Sequence, residues 1–353
     1  MKPRILVTGG AGFIGTNLVH RLLSLGHPVC ILDNLSRLHV HRNLSWLLST
    51  HSDLLKVEVG DVRDRQTVRR IVRDVDHVFH LAAQVAVTTS VDAPIADFET
   101  NVVGTLNVLE VIRAMSSPPS ILYTSTNKVY GALEELPLDT GEKRYIREGT
   151  VDDGIDEKCP LSFHSPYGCS KGAAEQYVLD YHRTYGIRSV VFRMSCIYGP
   201  HQFGNEDQGW VAHIMSRALA REPVTIYGDG RQVRDILHID DLVNAMVLAY
   251  EKIDSISGKA FNIGGGPQNT ISLLELIETL DRLDIKPPIS FSRWRIGDQK
   301  YYVSNTSRFS SKTGWAPQVS IQKGIRSLYS WLADFQQEVS EQPLVRESAC
   351  KLR

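Results

Sequence analysis

Tyr167-Gly168-Cys169-Ser170-Lys171 sets a phenol and an ammonium at i and i+4, one turn apart on a single helix face. A tyrosine near its ordinary pKa of about 10 is a poor base at neutral pH. A neighbouring cation stabilises the phenolate and makes it a usable general base, and the same ammonium can hold a ribose. Such a pair is common on helix faces, so a second pattern has to make it specific. Thr8-Gly9-Gly10-Ala11-Gly12-Phe13-Ile14-Gly15 supplies one, directly after the apolar run Ile5-Leu6-Val7. Gly9 permits a tight turn, Gly12 lets the backbone approach a pyrophosphate, and Gly15 allows close strand–helix packing. The helix that follows offers its free N–H groups to the anion. Asp33 ends the second apolar run, where a carboxylate accepts from adenosine ribose hydroxyls and repels a 2′-phosphate. That favours NAD over NADP, and the nearby Arg37 blunts the preference a little.

These groups need a frame of strands that end at one edge. Arg4–Thr8, Val29–Leu32, Leu55–Val59, Val78–Leu81, Ile121–Tyr123 and Ser189–Met194 read as strands. Phe13–Leu25, Asp92–Met115 and Pro166–Tyr185 read as helices, the first stopped by Gly26. Alternation through the first 200 residues predicts an α/β fold, a doubly wound parallel Rossmann sheet. After Tyr198-Gly199-Pro200 the pattern loosens, which predicts a smaller C-terminal α/β lobe for the substrate. The expected division is residues 1–200 for the cofactor, 201–337 mainly for the substrate and interleaved with the first, and 338–353 as a flexible tail. The long helices at 92–115 and 166–185 are candidates for pairing two copies.

Bulk composition narrows the partners. The 353 residues carry 39 Lys plus Arg against 40 Asp plus Glu, for a net charge of −1, with no basic stripe. Nucleic acid is therefore not an expected partner. The five cysteines show no CxxC or CxH spacing, and the twelve histidines show no metal spacing. Asp240-Asp241 suits a helix start better than a metal. No apolar run approaches the ~20 residues of a spanning helix, and Met1–Gly10 does not read as a signal peptide. Together these point to a cytoplasmic protein with reduced thiols, no metal and no membrane association.

The motifs as a set carry a resemblance. The glycine turn, Asp61, His80-Leu81-Ala82-Ala83-Gln84, Asn101, Tyr167-x-x-x-Lys171 and Arg193 look like the extended short-chain dehydrogenase/reductase family. The family's active-site hydroxyl stands three residues before a Val-Tyr-Gly, which here is Thr126, with Ser125 a structural neighbour. The resemblance implies a catalytic set of Thr126, Tyr167 and Lys171, with NAD as cofactor. It also implies cofactor contacts from Gly9, Gly12, Phe13, Ile14, Gly15 and Asp33, and from Asn34, Ser36, Arg37, Asp61 and Val62. Leu81, Ala82, Ala83, Gln84, Asn101, Thr124, Tyr167 and Lys171 complete that set.

Family members that eliminate water from sugars carry Asp-Glu after the hydroxyl residue, and sugar decarboxylases keep a Glu at the second position. This chain has Asn127-Lys128, which supplies no carboxylate. What remains is oxidation of a carbinol, reorientation of the ketone and return of hydride to its other face, which is epimerisation. Within the family the closer likeness is to epimerases acting at C2 of CDP-linked 3,6-dideoxyhexoses. It is carried by DNLSR (33–37), QVAVTTS (84–90), STNKVYG (125–131), HSPYGCSKGA (164–173), QFGNEDQGW (202–210) and GRQVRDILH (230–238). Epimerisation at another carbon such as C4, or net dehydrogenation, stays open. The likeness implies Arg234 and Arg295 on a nucleotide diphosphate and Asp298 on its ribose. Thr126, Asn127 and Ser195 would line the sugar site. Lys128 either approaches the diphosphate or sugar or points to solvent, and His164 either touches the sugar or packs beneath its loop. Gln208 and Gly209 offer an amide and a close backbone approach, while the Trp210 ring belongs in the core. The implied partners are a nucleotide-diphosphate sugar, CDP-linked, and a second copy of the chain.

Overall fold

The computed structural model describes residues 2–51, 53–149, 153–295 and 297–341. Seven strands form one sheet: β1 (Ile5–Thr8), β2 (Val29–Asp33), β3 (Leu55–Val59), β4 (His77–His80), β5 (Ser120–Thr126), β6 (Ser189–Met194) and β7 (Lys259–Ile263). Their spatial order is β7-β6-β5-β4-β1-β2-β3, and every neighbouring pair is parallel. Sheet order reverses between β1 and β4, the crevice where doubly wound folds bind ligands. The doubly wound fold expected from the alternation is therefore present.

Strand periodicity divides the core. Ile5 and Val7 of β1 point to a cluster with Leu18, Leu22 and Met246, whereas Leu6 points to the opposite one with Val108, Ile112 and Val178. Both faces are covered, so the central strands are apolar throughout rather than alternating. A second core, built on Met215, Ile226, Ile236, Leu276 and Leu328, holds the C-terminal lobe together. Its sheet joins Cys196–Tyr198, Val233–His238, Thr270–Ser272 and Tyr301–Tyr302. The interleaving is deep: β7 comes from beyond residue 200, while Arg144, well before it, pairs with Glu275 at 2.7 Å.

Two local expectations change. The helix expected at 92–115 starts at Pro94, after a separate short helix Val87–Asp92 that stops at Ala93, and runs to Arg113 with a π turn, Glu99–Val103, inside it. Proline starts helices well and continues them badly, and a π turn often marks a functional residue, here Asn101. Of the tail expected at 338–353, residues 338–341 belong to the helix Ile321–Glu341, and residues 342–353 lie outside the described residues. Asp240 and Asp241 do lie in a first helical turn, capped by His238. Among the described residues no helix is long and apolar enough to cross a membrane, and no His/Cys/Asp/Glu cluster could hold a metal.

Strand β4 carries two fully buried histidines. Burial pushes His77 and His80 down to about 3, helped by Arg188 and Lys171 respectively. An unfolded histidine titrates near 6.5, so the unfolded chain binds more protons between pH 6.5 and 3. Their contribution is complete above 6.5 and disappears as pH falls through that window. Calorimetry should find the melting temperature level near pH 7 and falling below about pH 6; equal values at pH 7.5 and 5 would contradict this.

Candidate active site

The glycine turn sits at the crevice between β1 and β4. Gly9 has φ +70°, and a side chain there would meet the Ala82 backbone nitrogen at 2.9 Å. Gly12 caps the helix Phe13–Ser24, and a Cβ on Gly15 would lie 2.2 Å from the Gly9 carbonyl oxygen. Phe13 and Ile14 pack from that helix against the core. Replacing Gly15 with alanine therefore drives a methyl into immovable backbone. The expected outcome is a loss of roughly 1–3 kcal/mol together with loss of bound dinucleotide, read by melting temperature and by cofactor content after gel filtration.

Asp33 accepts from the backbone N–H of Ala11 at 3.0 Å and of Leu35 at 2.8 Å. Burial raises its pKa, and the backbone donors and Arg37 oppose that. Each oxygen keeps a lone pair for a ribose hydroxyl. Asn34 donates to Asp61 at 3.0 Å and accepts from the Ser36 N–H at 3.1 Å. Hydrogen bonds from Arg63 hold Asp61 down at about 2. Val62 packs against Gly104. Leu81 and Ala82 both donate N–H to Thr8 Oγ1 at 3.2 Å, and Thr124 Oγ1 donates to the His80 carbonyl at 3.3 Å. Ala83 is half-buried in the same segment. The fit of a dinucleotide is thus tested by a cradle that Cβ atoms would fill and by a carboxylate with free lone pairs. The residues present fit NAD.

Tyr167 and Lys171 lie on the helix Ser165–Tyr185, both buried. Burial raises the phenol to about 12, against which work a hydrogen bond with Thr126 and the charge of Arg37. Burial lowers Lys171 to about 7, and the Asp97 and Glu175 carboxylates resist that shift. The ammonium lies 4.3 Å over the Tyr123 ring. Thr126 ends β5 and caps the next short turn by accepting from Lys128 N–H at 3.2 Å.

Several supporting residues were absent from the sequence reading. Asp97 is buried beneath Lys171, accepts from Ser170 Oγ, and accepts from Asn101 Nδ2 at 3.2 Å. Asn101 also bonds Gln84 in both directions, at 2.9 and 3.1 Å, so it fixes the loop after β4. Glu175, fully buried, pairs with Arg193 at 2.6 Å and accepts from Ser125 at 2.7 Å. Spacing could have found it, since Tyr167, Lys171 and Glu175 fall at i, i+4 and i+8.

A cavity of about 230 Å³ opens beside this centre and brings together Lys128, Gln208, Gly209, Arg234, Arg295 and Asp298. Val87, Thr88, Cys196, Tyr227 and Gln232 also line it and were not anticipated. Lys128 points inward and not to solvent: its Nζ donates to the Gly297 carbonyl at 2.9 Å and stands 4.0 Å from Asp298. Burial, with Arg234 nearby, lowers it to about 8. Arg234 approaches Asp298 at 3.5 Å, and Arg295 lies 3.8 Å over the Tyr227 ring while bonding the Glu206 carbonyl at 2.8 Å. Gln208 accepts from Arg37 at 3.0 Å across the two lobes. Trp210 packs on the substrate-lobe core and also faces the cavity, its indole N–H toward Cys196 Sγ at 3.4 Å.

Three expected substrate residues are placed differently. His164 is exposed and bonds Ser162 at 3.4 Å. Ser195 donates to the Asp235 carbonyl at 2.9 Å and also to its carboxylate, so its hydroxyl is already engaged. Asn127 is buried with its amide on Gln299 at 3.3 Å.

A dinucleotide cradle at the switch point, with a buried Tyr–Lys pair and a threonine hydroxyl facing it, defines an enzyme of the short-chain dehydrogenase/reductase class. Comparison with known proteins makes this particular. Residues 5–264 match the NAD dependent epimerase/dehydratase family, and the chain belongs to it. It is 44% identical over 338 residues to CDP-paratose 2-epimerase of Salmonella typhi, covering 93% of this chain and 98% of that protein. UDP-glucose 4-epimerase of Thermotoga maritima, solved with UDP-glucose, superposes with TM-score 0.81 at 30% identity over 94% of this chain and 99% of that one. UDP-glucuronic acid 4-epimerase of Bacillus cereus, solved with its sugar nucleotide and NAD, gives 0.81 at 27% identity over the same shares. The protein is an NAD-dependent nucleotide-sugar epimerase.

Proposed function

We propose that this enzyme inverts C2 of a CDP-linked 3,6-dideoxyhexose, interconverting CDP-paratose and CDP-tyvelose. The observation that carries the reading is Asn127-Lys128 beside Thr126, on a chain 44% identical to a CDP-paratose 2-epimerase. Neither side chain is a carboxylate, so the acid–base pair needed to eliminate water is missing, while the set for carbinol oxidation is complete.

Bound in the glycine cradle, NAD supplies a hydride acceptor that becomes the donor for the return step. The chain's residues handle the proton and the geometry. Thr126 Oγ1 holds the substrate oxygen, and Tyr167 takes the proton from it and later gives it back. A phenol held at about 12 with Arg37 already beside it keeps its proton at neutral pH, so further positive charge must convert it into a base; the nicotinamide ring of bound NAD would supply it, together with Lys171 one turn away in its protonated form. Arg234 and Lys128 face the diphosphate, and Arg295 stacked on Tyr227 closes the nucleoside end. Gln208 and Gly209 line the same wall, with Asp298 placed for the ribose. Asn127 and Ser195 support this surface from behind, through Gln299 and Asp235, and the exposed His164 lies outside it.

Exposed Val91, Ile95 and Phe98, with Tyr177 and Tyr185 on the Ser165–Tyr185 helix, support a homodimer joined through these helices. Light scattering at twice the chain mass is the expected result. The function itself is tested by proton NMR of CDP-paratose in deuterated water without added NAD. CDP-tyvelose with no deuterium at C2 is expected, and deuterium at C2 would overturn hydride return.

A further inference from the structure

The segment Gln84–Ser90 has so far held the site together without an assigned contact to substrate. Its start is locked by Asn101, which bonds Gln84 N–H and C=O. Its end is locked by Ser90, whose Oγ accepts from the Tyr167 backbone N–H at 3.1 Å and donates to the Val87 carbonyl at 2.6 Å. Thr88 is therefore held firmly in the cavity wall, two residues from the group that anchors Tyr167. Lys128, Cys196 and Val87 line the same cavity.

Within it, Thr88 Oγ1 is buried and has no hydrogen-bond partner. The carbonyl one turn behind, where a helical threonine would usually donate, is the Gln84 oxygen already bonded by Asn101. A buried hydroxyl left unpaired is costly, and native proteins keep few of them without a use. The sugar ring has to span from the reacting oxygen at Thr126 and Tyr167 to the diphosphate at Lys128 and Arg234, and Thr88 borders that span.

We propose that Thr88 is a specificity-determining residue: its hydroxyl bonds a ring hydroxyl of the sugar, and its methyl lies against a ring carbon that carries none. The assignment rests on the nucleotide-sugar reading above and names the residue that reads the ring. Val87 and Cys196, which also line the cavity, offer no strong acceptor, so a ring carbon without a hydroxyl suits their side of it better than one that carries a hydroxyl.

The test uses the full-length enzyme, with CDP-paratose as substrate and CDP as the nucleotide without a sugar. Thr88→Val keeps the shape and removes the hydroxyl. The expected result is a fall of about tenfold in kcat/KM for CDP-paratose, with CDP inhibition and bound NAD unchanged. Thr88→Ser should recover most of the loss. Activity within twofold of wild type in Thr88→Val overturns the proposal, and so does an equal loss of CDP affinity, which would mark a general disturbance of the cavity. If the wild-type enzyme does not turn over CDP-paratose, the C2 reading fails and calorimetric binding decides about Thr88. A wild-type preference for CDP-paratose over CDP that Thr88→Val abolishes supports it; a preference that persists, or none at all in the wild type, overturns it.

Discussion

Tyr167→Phe is expected to lower turnover by about 10²–10⁴-fold while leaving the melting temperature and the NAD content close to wild type. The ring stays in its buried seat on the Ser165–Tyr185 helix, and only the oxygen that bonds Thr126 is removed. Thr126 Oγ1 still has Asn127 Oδ1 within 3.3 Å, so the local turn keeps its shape. Initial rates with CDP-paratose, with cofactor released by heat and measured by absorbance, separate the two effects. A variant retaining a third of wild-type activity would remove Tyr167 from the proton transfer.

The second large effect is structural. Arg193→Met should destabilise the protein by about 3–5 kcal/mol, because it leaves a carboxylate buried without its cation. Glu175 is fully buried and takes three guanidinium contacts from Arg193, at 2.6, 3.0 and 3.2 Å. The methionine fills the space and supplies no charge. Arg193 also donates to the Tyr130 hydroxyl at 2.9 Å, so the loss spreads into the turn after Thr126. Replacing both partners, Arg193→Met with Glu175→Met, should return much of the stability, since a buried pair exchanged whole for apolar groups is often neutral. Chemical denaturation of the single and double variants reads this directly. Less than 1 kcal/mol in the single variant would mean that water reaches Glu175.

The order in which these residues become visible follows how local their signals are. The glycine turn, Asp33 and the Tyr167–Lys171 pair are short-range patterns, and chain periodicity sets the strands that carry them. Asn127-Lys128 was legible because chemistry excludes a carboxylate reaction there. Asp97 had no such signal, and Thr88 stood out only as part of QVAVTTS, without a role: each matters through neighbours far along the chain, Ser170 for one and the cavity around Lys128 for the other. Pro94 marked the start of the helix expected from 92, whereas periodicity gave no sign of the π turn within it. His164 and Ser195 came from family likeness, which gives a position along the chain and not the direction in which a side chain leaves it.

The seventh strand of the cofactor sheet has a consequence for how such an enzyme can change its substrate. Because β7 is laid down only after much of the substrate lobe has been made, neither lobe is a separable cassette. Cutting near residue 200 would strip β6 of its outer neighbour and uncover Phe192, which packs with Phe261 in the same core. A new sugar preference therefore cannot arrive by exchanging everything after residue 200. Replacements within the cavity wall leave that shared sheet, and the hydride chemistry it carries, intact.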